Sequence, residues 1–259
     1  MIIGLKQIVL IGLLLYSALL LFLYFQQKKF IFFPTRAHHE APQHSVEFTL
    51  RHDNVVLQGW LFQEKYAPDR LIFYYGGNAE DIYYAVEQFQ QYGDTAALFV
   101  NYRGYGASTG SPGQQEIFKD ALAVFDEVTQ RYRPKKVFVM GRSLGSGVAG
   151  HVASRRPVDG AILITPFDSI EAIAGRRFFF LPVSLLLRHP FRLIDSAAQF
   201  TAPSLIIYGG NDSTVLPAQT ERLIENIRGE KKSVLIEDAE HNNIDMFDRY
   251  HLEILQFIQ

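Results

Sequence analysis

Residues 141–145, GRSLG, have the composition and spacing of a nucleophile elbow, in which a serine lies on a sharp turn between a strand and a helix. An apolar run, residues 137–140, precedes the motif, and a stretch with helical character follows it. The serine of such a turn has a strained backbone, and a side chain at either glycine would collide with neighbouring backbone. The motif therefore predicts Ser143 as a nucleophile, with Gly141 and Gly145 as the elbow glycines.

A serine nucleophile needs a base to take its proton, and the base needs an acid that orients it. After an elbow, these partners follow in the order acid and then histidine. Asp212 comes after the apolar run 204–208, and His241 comes after the run 233–236. Both are expected past the carboxyl ends of parallel strands, where sites form. We predict Ser143, Asp212 and His241 as a catalytic triad.

Each partner has an alternative interpretation. Asp212 belongs to an Asn-Asp-Ser turn and could only cap the helix expected from Leu216, while Asp168, after the strand expected at 161–164, is a rival acid. The chain has eight histidines, and a lone histidine is more often structural. His241 is favoured because it alone lies in a loop that follows a late strand.

The tetrahedral oxyanion formed by serine attack needs preorganised N–H donors. Leu144 supplies one at the start of the helix after the elbow, where the helix dipole also favours negative charge. The second is predicted at Asn78, in the loop after the run 71–75. Gly76 and Gly77 would let that loop approach a substrate closely. A plain glycine turn is the alternative interpretation of the pair, and the presence of the elbow favours the oxyanion hole.

Apolar runs alternate with helical stretches along most of the chain, which is typical of an α/β fold with a mostly parallel sheet and helices on both faces. The predicted strands are residues 46–50, 55–62, 71–75, 96–102, 137–140, 161–164, 204–208 and 233–236. The predicted helices are residues 79–91, 114–132, 144–154, 216–227 and 244–258.

Residues 8–25 contain no charge and are long enough to cross the hydrocarbon core as a helix. A cleaved signal peptide is the competing interpretation, but the run is long and no small-residue cleavage site follows it; a buried core helix would need a polar face. We predict a single-pass membrane protein, with an anchor at 1–28 that contacts the membrane through residues 2–25. Lys28, Lys29 and Arg36 outnumber Lys6, which weakly favours a cytoplasmic catalytic domain and leaves the side undecided.

The remaining chain divides into a juxtamembrane connector at 29–45 and a catalytic domain at 46–259. Within that domain, residues 175–200 are apolar but interrupted by Pro182 and Pro190. We predict that they form a short helical cap over the site; a second membrane-contacting patch and additional core are the alternatives.

Composition excludes several classes of function. The 25 basic and 27 acidic residues leave a net charge of −2, so no electrostatic feature favours nucleic-acid binding. The chain has no cysteine, which rules out disulfides, thiolate metal sites and a cysteine nucleophile. No metal or other cofactor is expected.

With these residues in place, the chain resembles the α/β-hydrolase superfamily from about residue 46 to its end, and more narrowly the membrane-anchored abhydrolase-domain serine hydrolases, which include protein depalmitoylases. The matching segments are FIFFPTR at 30–36, GGNAE at 76–80, NYRGYGAS at 101–108, GRSLGS at 141–146, GGND at 209–212 and HN at 241–242. The resemblance implies the α/β-hydrolase fold, the same triad, and the same oxyanion donors. One departure is Gly76, which replaces the histidine that such proteins usually carry and so bears on the rigidity of the loop.

These observations predict a membrane-anchored serine hydrolase that cleaves carboxylic esters or thioesters through an acyl-enzyme, with an acyl ester, thioester or lipid-like molecule as substrate. Two alternatives remain at this point. One is an aminopeptidase-like serine hydrolase, which would need a carboxylate for a free amine, and the other is a non-catalytic hydrolase-fold binding module.

Overall fold

The computed structural model describes residues 4–38, 40–65, 67–199 and 201–259. Within these residues, eight strands form one sheet in the order β1-β2-β4-β3-β5-β6-β7-β8. The strands are β1 (Ser45–His52), β2 (Val55–Phe62), β3 (Arg70–Tyr75), β4 (Ala96–Val100), β5 (Lys136–Arg142), β6 (Gly160–Ile164), β7 (Ser204–Gly209) and β8 (Lys231–Ile236).

The sheet is parallel from β4 to β8, and β2 runs antiparallel to both of its neighbours. The hairpin between β1 and β2 turns at Asp53 and Asn54, whose φ angles of 46° and 62° suit the two-residue turn that matches strand twist. The parallel strands place their carboxyl ends at one edge, so the loops after β3, β5, β7 and β8 meet there.

Helices cover both faces of the sheet, as predicted. They are α1 (Leu5–Ile31), α2 (Ile82–Gln88), α3 (Gln114–Tyr132), α4 (Leu144–Ala153), α5 (Ile170–Arg177), α6 (Val183–Leu186), α7 (Leu193–Ala197), α8 (Pro217–Asn226) and α9 (Asp248–Phe257). One core layer packs α3, α4, α7 and α8 on the sheet, and the other packs α2 and α9 on the opposite face.

Two predicted helices differ from the structure at their starts. The stretch expected from residue 79 begins as α2 at Ile82, capped by the Asp81 side chain, because residues 76–80 form a loop instead. The stretch expected from residue 244 begins as a 3₁₀ turn, Ile244–Met246, and α9 starts only after the extended Phe247.

Helix α1 carries the predicted membrane segment. It has 27 residues, its most apolar window has a mean hydropathy of 2.6, and none of that window is buried against the protein. A helix of this length is about 40 Å long, which exceeds the hydrocarbon core of about 30 Å. By length and composition α1 can cross a membrane, and it continues three residues past the anchor boundary predicted at 28; residues 1–3 of that segment lie outside the described residues.

The predicted insertion at 175–200 is helical, but its boundaries differ. Helix α5 already begins at Ile170, and the last part of the segment re-enters the core, where Phe191 and Leu193 are buried beside α4. Only the part between α5 and Arg188 therefore stands above the sheet edge. Phe200, the predicted end of the segment, lies outside the described residues.

Candidate active site

The GRSLG turn links β5 to α4 and has the strain expected of an elbow. Ser143 has φ 49° and ψ −116°, a conformation that L-residues rarely adopt. A Cβ at Gly141 would lie 2.2 Å from the carbonyl oxygen of Gly145, and a Cβ at Gly145 would lie 1.9 Å from that of Tyr75. Only glycine fits at either position, so the turn can press against β3 and raise Ser143 above the sheet edge.

The structure brings the three predicted triad residues together from three separate loops. The Nε2 atom of His241 lies 2.9 Å from the Oγ of Ser143, and its Nδ1 lies 2.7 Å from the Oδ2 of Asp212. The Asp212 side chain is 2% exposed and that of His241 is 11% exposed. The carboxylate is thus shielded from water, while the histidine keeps one edge toward the cavity.

The sequence allowed two roles for Asp212, as a turn residue and as the partner of His241, and the structure shows both contacts, one on each carboxylate oxygen. Its Oδ1 accepts the backbone N–H groups of Thr214 and Val215, at 2.9 and 2.8 Å, which is ordinary turn chemistry. Its Oδ2 remains for His241. The turn bonds therefore fix the carboxylate in the orientation that holds the imidazole.

The rival acid, Asp168, has other partners. It is buried, and its carboxylate accepts hydrogen bonds from the Arg222 guanidinium, the Gln219 amide and the backbone N–H of Ser169. Its role in the structure is to tie the loop after β6 to α8.

Both predicted oxyanion donors line the same cavity as Ser143. Leu144 is the first residue of α4, and Asn78 lies in the loop after β3. Within the described parts of the chain, neither backbone N–H forms a hydrogen bond. Two unpaired donors beside a serine hydroxyl are what a developing oxyanion requires.

A glutamate that the sequence analysis did not single out shapes the loop of Asn78. The Glu80 carboxylate accepts the backbone N–H of Gly77 and the hydroxyl of Tyr74, each at 2.5 Å. Burial, together with the Glu80 charge, raises the pKa of Tyr74 well above its usual value, so the phenol stays protonated and donates. The spacing in the sequence could have indicated this contact, because the carboxylate of an acid three residues after a glycine can accept that glycine's backbone N–H and stabilise a tight turn.

The glycine that departs from the family pattern is also explained by packing. A Cβ at Gly76 would lie 2.9 Å from the Cγ2 of Ile82, and the Gly76 carbonyl accepts the hydroxyl of Tyr102 at 2.7 Å. A larger residue at position 76 would therefore have to displace the Ile82 side chain at the start of α2.

The side chain of Asn78 contacts the end of α1, and no sequence motif predicts this contact. Its Nδ2 donates to the carbonyl of Ile31 at 2.6 Å, and its Oδ1 accepts the backbone N–H of Phe33 at 3.0 Å and the hydroxyl of Tyr105 at 2.9 Å. The loop that carries a predicted oxyanion donor is thus tied to the predicted juxtamembrane connector.

The cavity above Ser143 has a volume of about 1080 Å³, slightly above the usual range for small-molecule sites. Its lining is mainly apolar and comes from α1, α5, α6 and the loops at the sheet edge. The part contributed by α1 and the residues just after it is Leu23, Gln27, Phe30, Ile31 and Phe33. The sequence analysis missed this wall, because apolar residues at the end of a predicted membrane helix carry no signal that they line a pocket.

The described residues contain no group of three or more histidine, aspartate or glutamate side chains placed to hold a metal ion. The charged side chain next to the nucleophile is paired. Arg142, beside Ser143 in the elbow, donates to the carbonyl of Asn242 at 3.0 Å and lies 3.6 Å from Asp245.

Known proteins match both the sequence and the fold. A family model described as serine aminopeptidase, S33, matches residues 81–188. An uncharacterised protein of Mycobacterium tuberculosis is 29% identical over 245 residues, which cover 90% of this chain and 86% of the relative. The lysophosphatidylserine lipase ABHD12 of Danio rerio is 30% identical over 152 residues, which cover 52% of this chain and only 40% of that protein. The esterase Pf2001 of Pyrococcus furiosus has the same fold, with a TM-score of 0.71 at 19% identity over 86% of this chain and 95% of the esterase.

Proposed function

We propose that this chain, which belongs to the α/β-hydrolase superfamily, is a membrane-anchored serine hydrolase that cleaves carboxylic esters or thioesters through an acyl-enzyme. The observation that carries the proposal is the unbroken series of contacts from Ser143 through His241 to Asp212, at 2.9 and 2.7 Å. Both distances are within hydrogen-bond reach. This is the arrangement that turns a weakly nucleophilic hydroxyl into an attacking group.

In the first half of the proposed reaction, the Ser143 Oγ attacks the substrate carbonyl carbon while its proton passes to the Nε2 of His241. The oxyanion that forms lies against the backbone N–H groups of Leu144 and Asn78. The bond from the carbonyl carbon to the leaving oxygen or sulfur then breaks, and His241 returns the proton to the leaving group. Throughout, Asp212 stabilises the imidazolium.

In the second half, water attacks the acyl carbon and gives its proton to the Nε2 of His241. The bond from that carbon to the Ser143 Oγ then breaks, His241 returns the proton to the Oγ, and the carboxylic acid leaves. The apolar cavity suits the acyl portion of the substrate, because burial of hydrocarbon there removes it from water. The names of two similar proteins, an esterase and a lysophosphatidylserine lipase, agree with ester chemistry.

The name of the matching family model raises a peptidase as a second candidate. Binding of a free amine would need an unpaired carboxylate in the cavity. Among the described residues that line it, Glu80 is the carboxylate, and both of its oxygens are already bonded to the oxyanion loop and Tyr74. The ester or thioester reaction is therefore favoured.

The deciding experiment is labelling of the detergent-solubilised protein with a fluorophosphonate probe. We expect strong labelling that is lost in Ser143→Ala and His241→Ala but retained in Ser154→Ala, a serine at the far end of α4. Esters and thioesters of increasing chain length then define the substrate. Failure of the folded wild-type protein to react would refute the enzyme and favour an anchored binding module.

A further inference from the structure

The segment between α5 and Arg188 is an uncharged apolar stretch with arginines at both ends, a pattern typical of elements that insert into a membrane. Residues 178–187, FFFLPVSLLL, contain no charged side chain and are flanked by Arg176 and Arg177 on one side and Arg188 on the other. We call these ten residues the cap tip. Several of its large side chains face outward: Phe179 is 85% exposed and Leu185 is 83% exposed. An apolar patch of this kind marks an interaction surface.

The cap tip lies beside the middle of α1. The hydroxyl of Tyr16 donates to the carbonyl of Phe180 at 2.9 Å. Tyr16 lies nine residues before Phe25, the end of the uncharged run, or about 13 Å along the helix axis. Half of a hydrocarbon core is about 15 Å thick. If α1 crosses the bilayer, Phe180 therefore lies inside the near leaflet.

Arg188, the charged residue that follows the cap tip, lies where headgroups would be. The Arg188 guanidinium lies 5.5 Å from the centre of the Tyr24 ring, close to the end of the uncharged run of α1. The Gln27 side chain forms two hydrogen bonds with the same region: its Nε2 donates to the carbonyl of Leu186, and its Oε1 accepts the backbone N–H of Arg188. Tyrosine, arginine and glutamine at this level are typical of a membrane interface.

The backbone of the cap tip can also enter an apolar medium, where an unpaired polar group is costly. The N–H groups of Phe178, Leu181 and Val183 bond within the segment or to α5, and those of Leu185, Leu186 and Leu187 bond to Pro182 or Val183. The carbonyl of Phe180 has its partner in Tyr16. Most of the backbone N–H groups of the cap tip thus have a hydrogen-bond partner within the protein.

From these observations we propose that the cap tip inserts into the same lipid leaflet that α1 crosses, so that the catalytic cavity receives its substrate from the bilayer. The proposal rests on the proposed anchoring by α1. The cavity that contains Ser143 is also lined by Leu23 of α1 and by Phe178 and Leu181 of the cap tip. Its wall therefore includes residues at the level of the lipid chains, and an acyl chain already in the membrane can enter without crossing water.

Site-specific fluorescence tests the insertion directly. The chain has no cysteine, so Phe179→Cys, Leu14→Cys in α1 and Leu252→Cys on α9 each provide one labelling site on the full-length protein. Each variant is labelled with an environment-sensitive dye and reconstituted in phosphatidylcholine vesicles that contain lipid with a nitroxide on its acyl chain. We expect quenching at positions 14 and 179 and none at 252, which is also an exposed leucine.

The outcomes separate this proposal from the one on which it rests. Quenching at position 14 without quenching at position 179 would overturn insertion of the cap tip while leaving the anchor intact. Absence of quenching at both positions would overturn the anchor as well, and neither result would bear on the hydrolase chemistry.

A kinetic comparison tests the functional consequence. Phe179 does not line the cavity, so Phe179→Glu should leave hydrolysis of the soluble ester p-nitrophenyl acetate within about twofold of wild type. Hydrolysis of a long-chain ester held in vesicles should fall about tenfold or more, because an aromatic ring that the proposal places in the lipid is exchanged for a charge. Leu252→Glu is the matched control and should change neither rate. Equal losses on both substrates in Phe179→Glu would overturn the proposal.

Discussion

The two walls of the catalytic cavity are built differently. One wall is the edge of the sheet, where Ser143, Asp212 and His241 lie on short loops after β5, β7 and β8 and are held by strain, backbone hydrogen bonds and burial. The other wall is α1 with α5 and α6. Many apolar side chains of α1 are exposed, and hydrogen bonds from Tyr16 and Gln27 hold this helix to the backbone of Phe180 and Leu186. Under the proposed function, the sheet edge positions the reacting groups, while the choice of substrate falls to α1, α5 and α6, the elements that the proposal places at a membrane.

The largest effect should come from the sheet wall, where two buried aspartates can be compared. Asp212→Asn should lower kcat by about 10⁴-fold, because the amide no longer favours the productive histidine tautomer. Asp168→Asn should leave kcat nearly unchanged but reduce the free energy of unfolding by about 1–3 kcal/mol, because Arg222 and Ser169 lose a charged acceptor. Ester hydrolysis and urea unfolding of both variants measure the difference. A large loss of kcat in Asp168→Asn would reverse the assignment.

The link between the two walls is the Asn78 side chain, and its removal should have the next largest effect. Asn78→Ala keeps the backbone N–H but releases Ile31 and Phe33, so the donor should be misplaced and kcat should fall roughly ten- to hundredfold. KM for a short soluble ester should change little, since that interaction forms mainly in the transition state. Asn226→Ala on α8 is the matched control. An increase in KM without a change in kcat would mean that the tether shapes the pocket and not the oxyanion site.

A smaller effect is expected on the wall formed by α1, α5 and α6. Gln27→Ala removes the two hydrogen bonds that hold α1 to Leu186 and Arg188, worth roughly 1 kcal/mol in total, which corresponds to about fivefold in KM for a long-chain ester. A two-carbon ester should be unaffected. Gln26→Ala, one position earlier on the helix, serves as the control. Equal changes for both chain lengths would show that the two walls are not functionally separate.

The smallest effect concerns the pH dependence of stability and involves His151 of α4, near the point where the chain after the cap tip re-enters the core at Phe191. Burial, with Arg155 and Arg156 nearby, lowers the pKa of His151 to about 4, and its ring stacks on Phe118, which contacts Phe191. Below pH 6.5 the unfolded chain binds a proton that the folded chain does not, so this contribution to stability is complete above pH 6.5 and is lost as the pH falls toward 4.

Thermal unfolding at pH 7.5 and pH 5.0 tests this linkage. The decrease in Tm between the two pH values should be smaller in His151→Gln than in wild type, by about 2–4 °C for each kcal/mol of linkage. The exposed His44, as His44→Asn, should behave as wild type. The same decrease in all three proteins would mean that other groups control the acid response.

Local chemistry determined much of this protein from the sequence alone. The elbow could be predicted because the sharp turn at Ser143 leaves room only for glycine at positions 141 and 145. All three residues lie within a stretch of five. The alternation of strands and helices was readable because each buried strand and each amphipathic helix, such as α3, carries its own periodicity. The chain order of Ser143, Asp212 and His241 then follows from strands whose carboxyl ends share one edge.

The tertiary structure decided what depends on contacts between distant segments. Whether Asp212 or Asp168 faces the histidine was settled by Arg222 and Gln219, which lie more than fifty residues from Asp168 and claim its carboxylate. The joining of α1 to the cavity through Asn78 and Gln27 has no local signature, because an apolar helix end looks the same whether it faces lipid or a pocket. Apolar side chains carry no directional chemistry, so which surfaces they cover is known only once the whole chain has folded.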